Sequence, residues 1–143
     1  MKKKKDVFLI IQTTQRNKII IGLAKNDCLI SHSVFRKGVK KHSEKLLFAI
    51  DELLEKNKIK PAELAGLFVV KGPGSYTSLK TGCAVANAFA FVLKIPALGF
   101  RQKEFNDFQE LAKIAFKKYQ KIKNKKQPKF VFPFYGELAY YER

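Results

Sequence analysis

The residues with the most chemical potential in this chain stand together at Gly72-Pro73-Gly74-Ser75-Tyr76-Thr77. Glycines at such a loop permit positive φ and close backbone approach, and the first N–H groups of a following helix can cradle an anion. The nucleotide pattern GxxxxGK[ST] is nevertheless absent, because six residues after Gly72 stands Ser78, with Leu79 and Lys80 out of register. A tight turn and an anion cradle both stay open. Ser75 and Thr77 carry hydroxyls, yet no histidine or lysine is placed by sequence to activate them, so capping the helix that follows is their expected work.

Metal chemistry needs ligands in clusters, and the chain offers few. Asp6 precedes the first apolar run, Gln12 ends it, and Asp51 lies in a helical pattern, which is not the carboxylate set of a metal-dependent nuclease. His42 is followed four residues on by Leu46, and His32 by Arg36, so neither HxxxH nor HExxH exists. Cys28 and Cys83 stand alone, without CxxC spacing, and read as small core residues of a reducing compartment. No catalytic residue, metal or cofactor is therefore expected.

The elements that position the loop follow from periodicity. Val7 to Gln12, Lys18 to Leu23 and Cys28 to Phe35 read as three consecutive antiparallel strands, joined by polar turns at Thr13 to Asn17 and at Asn26-Asp27. From His42 the period changes to three and four through Leu46, Leu47, Ile50, Leu53 and Leu54, a helix that Ser43 can cap and that Asn57 and Pro61 end. Leu67 to Lys71 is a short buried strand, Thr77 to Leu93 a long helix, and Ala97 to Phe100 another strand. Glu104 to Lys118 reads as a third helix and Phe130 to Tyr141 as a terminal hairpin turning at Gly136. Strand, helix, strand repeated twice demands a parallel portion of sheet, so the expectation is an α/β fold with a mixed sheet of about five strands.

The helix after the loop is unusually dry. From Gly82 to Leu93, eleven of twelve residues are apolar or glycine, Asn87 being the exception. A helix apolar all round must be covered all round, and the sheet covers one side. Gly82, Ala84, Ala86, Ala88 and Ala90 leave room for something else: the first helix, a partner chain, or both in a four-helix interface.

The charge balance is 29 basic against 12 acidic residues, or +17, which favours encounter with polyanions, although a Lys-rich surface also serves solubility. Between Lys113 and Lys129 lie eight lysines and no Asp or Glu, the pattern of a solvated linker or helix end. An apolar run of five residues from Val7 to Ile11 after Lys2 to Lys5 is too short for a signal peptide, and no run reaches the roughly 18 residues of a membrane span. A cytoplasmic protein without membrane contact is expected.

Gly72-Pro73-Gly74-Ser75-Tyr76-Thr77, with Leu79-Lys80, Gly82 and the Ala-rich helix running to Ile95-Pro96 and Gly99, resembles the GPGSFTGLR signature of the TsaB (YeaZ) family. The stretch from His42 to Leu54 resembles that family's first interface helix, and Gly136 to Tyr141 its later RRGEVY strand. The resemblance implies an actin-like, RNase H-like lobe at 1–119, followed at 120–143 by a basic linker and the remnant of a second lobe in a C-terminally shortened form. It also implies a non-catalytic partner subunit for threonylcarbamoyladenosine modification of tRNA beside the anticodon. That subunit would dock onto the TsaD transferase, with the TsaE ATPase in the larger complex and tRNA contacted indirectly, and it would form homodimers through the same helices. The partner interface would comprise His42, Leu46, Leu47, Ile50, Leu54, Leu79, Lys80, Cys83, Ala84, Asn87, Ala88 and Phe91. The family usually opens with Asp-Thr-Ser where this chain has Gln12-Thr13-Thr14, which removes a carboxylate that a metal-nucleotide site would use.

The rival reading is a stand-alone basic RNA-binding module. Its contacts would come from Lys117, Lys118, Lys121, Lys123, Lys125 and Lys126, with Phe130, Phe132, Phe134, Tyr135, Tyr140 and Tyr141 as stacking surfaces. Alternating aromatics in a terminal hairpin are more often core.

Overall fold

A continuous apolar run in the first strand decides the architecture, because it must be covered on both faces. The structure, a computed structural model, describes residues 6–36, 42–124 and 129–136, and at 42–43 the backbone alone. Its elements in chain order are β1 (Val7–Gln12), β2 (Lys18–Lys25), β3 (Cys28–Arg36), α1 (His42–Lys56), β4 (Leu64–Gly72), α2 (Tyr76–Leu93), β5 (Ala97–Arg101) and α3 (Phe108–Ile122). They form one five-stranded sheet in the order β3-β2-β1-β4-β5. β1 runs antiparallel to β2 and parallel to β4, β2 is antiparallel to β3, and β4 is parallel to β5. The mixed sheet opening with three antiparallel strands is thus present.

β1 sits at the centre and is dry on both faces. Leu9 and Ile11 belong to a core shared with α1 and α2, while Phe8 and Ile10 belong to a second core under α3. All four are fully buried, each contributing about 1.5–3 kcal/mol of transfer free energy. In the α3 core, Phe8 stacks on Phe68 at 4.5 Å between ring centroids and meets Tyr119 edge-on at 4.7 Å. Burial, and then the negative charge of Asp6, raises the Tyr119 phenol above its ordinary pKa.

The third helix begins later than its apolar pattern suggests. Gln102–Glu104 forms a short 3-10 turn, Phe105 drops into the core as extended chain, and Asp107 caps α3 by accepting a hydrogen bond from Glu110 N at 2.8 Å. The helix then runs past Tyr119 to Ile122, beyond the boundary drawn at 119. Its Gln109 ties it to the β2–β3 turn, accepting from Leu29 N at 2.9 Å and donating to Asp27 O at 3.0 Å.

The expected terminal hairpin is corrected in part. Residues 129–134 are extended without forming a strand, and Glu137 to Tyr141 lie outside the described residues. Two backbone bonds hold this tail along the edge of the sheet, Ala97 N to Lys129 O at 3.0 Å and Phe134 N to Lys71 O at 2.8 Å. Between them the Asn87 amide clamps Val131, donating to its carbonyl and accepting from its N–H, both at 2.8 Å. Val131 is buried in the α1/α2 core. Asn87, the one polar residue in the dry stretch of α2, therefore supplies what a neighbouring strand would have supplied.

Asn87→Leu should remove both bonds and leave two backbone groups of Val131 unpaired. The expected loss is about 1–3 kcal/mol in urea unfolding, with amide exchange accelerated at Val131 before the central strands are affected.

Candidate functional site

The signature loop is filled by its own chain. Gly72 has φ +136°, a conformation glycine tolerates, and a Cβ there would lie 2.0 Å from Phe134 O. A Cβ on Gly74 would lie 2.3 Å from Thr14 O, which accepts a hydrogen bond from Ser75 N at 2.8 Å. One on Gly82 would lie 2.1 Å from Thr13 Oγ1, and that hydroxyl donates to Ser78 O at 2.8 Å. Gly74 and Gly82 let the segment after β1 press against the start of α2, and Gly72 lets the tail approach the loop, which favours the tight turn over the anion cradle. Gln12 is tied off as well, its amide donating to Thr14 Oγ1 and to Gln102 Oε1, both at 3.1 Å.

Two expectations about hydroxyls need correction. Ser75 occupies the N-cap of α2 but makes no side-chain cap bond; its backbone carbonyl instead accepts from Leu79 N at 2.9 Å. Thr77 is exposed within the first turn, where its carbonyl accepts from Thr81 Oγ1. Tyr76 stacks on Tyr135 at 4.1 Å, and Lys80 Nζ lies 4.7 Å from the Tyr76 centroid. Pro73 lines a cleft of about 600 Å³ with Arg101, Gln102, Lys103, Phe134 and Tyr135. Arg101 caps this cleft with its guanidinium 3.7 Å from the Phe134 ring.

The residues expected at a partner interface divide into two faces. Leu46, Ile50, Leu54, Leu79 and Cys83 are buried inside this chain, because α1 and α2 spend these positions on each other and on the sheet. Asn87 is taken up by Val131. Leu47, Lys80, Ala84, Ala88 and Phe91 are exposed; the side chain of His42 lies outside the described residues. On α2, Thr77, Lys80, Ala84, Ala88 and Phe91 recur at spacings of three and four and form one outward stripe. Phe91 is 74% exposed and the adjacent Val92, absent from the expected set, 73%. Its place beside Phe91 in an unbroken apolar run was the signal for it. Gly82, Ala86 and Ala90 face inward. The helix is thus enclosed on one side and open on the other.

The described part of the basic segment is a solvated helix end. Lys117, Lys118, Lys121 and Lys123 are exposed along the last turns of α3, whereas Lys125 and Lys126 lie outside the described residues. Of the aromatics expected as core, Phe132 is 77% exposed and Phe130 41%. Among the described residues no group of three or more His, Cys, Asp and Glu is placed to hold a metal ion, and no helix is long and apolar enough to cross a membrane.

The family model described as "TsaD: tRNA N6-adenosine threonylcarbamoyltransferase" matches residues 34–105. The tRNA threonylcarbamoyladenosine biosynthesis protein TsaB of Buchnera aphidicola from Acyrthosiphon pisum is 31% identical over 105 residues, 73% of this chain and 43% of that protein. TsaB of Bacillus subtilis is 35% identical over 76 residues, covering 53% of this chain and 33% of its own length. A tRNA N6-adenosine threonylcarbamoyltransferase of Geobacter metallireducens is 35% identical over 91 residues, 64% of this chain and 27% of that one. YeaZ from Pseudomonas aeruginosa superposes with a TM-score of 0.57 at 20% identity over 67% of this chain and 43% of that chain, a likeness in fold. The chain accordingly shares with that structure an α/β fold, a mixed sheet with helices packed on it. This chain spans about a third to a half of the length of the TsaB relatives it matches.

Gly82→Ala should force Thr13 from its place and cost about 1–3 kcal/mol, read as a lower urea midpoint at unchanged slope. Burial, opposed by the positive charge of Lys71, pushes the Cys83 thiol from 9.0 up to about 11. In native protein at pH 8 a disulfide-exchange reagent should therefore titrate the exposed Cys28 quickly and reach Cys83 only after denaturant is added. Because the folded pKa is the higher one, the stability from a neutral Cys83 is complete below pH 9.0 and is lost as pH rises toward about 11. Cys83→Ala should flatten that alkaline decline.

Proposed function

The chain belongs to the TsaB (YeaZ) family, within the wider group that the TsaD model describes, and on that premise we propose that it is a non-catalytic subunit of tRNA threonylcarbamoyladenosine synthesis that docks onto TsaD. The single observation carrying this reading is the outward stripe of α2. A Phe at 74% exposure beside a Val at 73%, on a helix whose nearer residues are Ala84 and Ala88, is an apolar surface with low relief. Small residues let a second helix approach closely while the large ones anchor it. Leu47 and Phe48, each 49% exposed, add apolar area on the adjoining α1.

The non-catalytic part of the reading draws on the loop. Gln12 stands where the family usually carries an aspartate, and Thr13 and Thr14 occupy the space that the glycines open. Residues that an active relative would turn toward a nucleotide are here used to pack α2 against β1. In this reading TsaE joins the larger complex, tRNA is met chiefly through TsaD, and the same stripe forms homodimers when TsaD is lacking.

Ala88→Arg tests this directly. Ala88 is exposed, so the variant should keep its circular dichroism and melting temperature while tagged protein no longer captures TsaD of the same host. In light scattering the variant should also run as a monomer at concentrations where the parent self-associates. Capture of TsaD at the parental level would refute the docking reading.

A further inference from the structure

A second surface lies away from the α2 stripe, at the outer edge of β5. A groove of about 260 Å³ runs there between the end of α3 and the tail, and Lys71, Lys118 and Lys129 line it together with Phe130 and Phe132. Among the described residues, three cations and no carboxylate line it. Like charges brought together without a counter-ion raise one another's energy, and a polyanion relieves that cost. Lys117, Lys121 and Lys123 extend the positive surface along α3, and from Leu111 to Gly136 the sequence contains no Asp or Glu.

The aromatics make this more than a charged patch. Phe132 is 77% exposed although the residue before it, Val131, is buried and clamped by Asn87. The clamp fixes the backbone, and alternation along an extended chain then turns the rings of 130 and 132 outward, beside the lysines. Lys118 Nζ lies 5.3 Å from the Phe100 ring, which holds that ammonium at the groove wall. Lysines on a backbone track with phenyl rings standing among them are the combination that grips unpaired nucleic acid, because phosphates meet the cations and freed base faces stack on the rings.

We propose that this groove binds an unpaired stretch of RNA, with Lys71, Lys118 and Lys129 on its phosphates and Phe132, assisted by Phe130, stacked on a base. The choice of RNA over DNA rests on the function proposed above; the groove and its chemistry do not.

The test is fluorescence anisotropy of a short labelled uridine-rich RNA strand with the full chain across a salt series. Phe132→Ala should weaken binding by about 5- to 100-fold, Phe132→Tyr should restore it, and Lys118→Gln should lower the slope of log affinity against log salt by about 0.7. Phe132 is exposed, so unchanged circular dichroism is expected for its variants. Equal affinity for Phe132→Ala and parent would overturn the proposal, as would equally tight binding of duplex RNA that ignores residue 132. Tighter binding of the matching DNA strand would overturn the assignment to RNA. Phe91→Ala separates the two surfaces: it should impair TsaD capture while RNA binding is unchanged, so either reading can fail without the other.

Discussion

Gly82 lacks a side chain because Thr13 occupies that space. This contact, closed by the hydrogen bond from Thr13 to the Ser78 carbonyl, joins the end of the central strand to the first turns of α2 and sets the rotation of that helix about its axis. Once Gly82 faces β1, Ala86 and Ala90 face the core with it, and Ala84, Ala88 and Phe91 are exposed. One close approach near the signature loop thus decides which residues are exposed at the far end of the helix. Packing at the loop and exposure along the helix are a single geometric fact.

Much of the architecture was readable from period and punctuation. The short apolar run of β1, the turn residues at Asn26-Asp27 and the change to a period of three and four after His42 place the strands and α1 where they are found. The start of α3 was not, since Phe105 continues the apolar period backwards although it belongs to extended chain, and the capping signal at Asp107 competes with it. Which face of α2 is exposed was half readable. A helix apolar on every side has no moment to phase it, so Leu79 and Cys83 looked equivalent to Ala84 and Phe91 until Thr13 set the rotation. Asn87 was misjudged for a related reason: a lone amide among apolar residues marks a buried hydrogen-bonding task, and the task here is internal.

The glycine-rich loop is held by packing within its own chain. Close approach is what glycine provides, and at Gly72, Gly74 and Gly82 the approaching atoms are Phe134 O, Thr14 O and Thr13 Oγ1. Packing by the chain itself rigidifies the junction of β1, β4 and α2, which suits a surface that must present a fixed shape. The cleft bounded by Pro73, Arg101 and Phe134 lies at the outer rim of the same junction.

The Asn87 clamp has a consequence for how this edge tolerates change over time. An amide that addresses only the main chain of residue 131 imposes no side-chain requirement on residues 130 and 132, and a single prohibition on 131 itself, where proline would bring no hydrogen to donate. As far as the clamp is concerned, the side chains of those two neighbours are set by what they meet outside and not by the strap. Novelty can accumulate at that margin without unsettling the sheet beneath it.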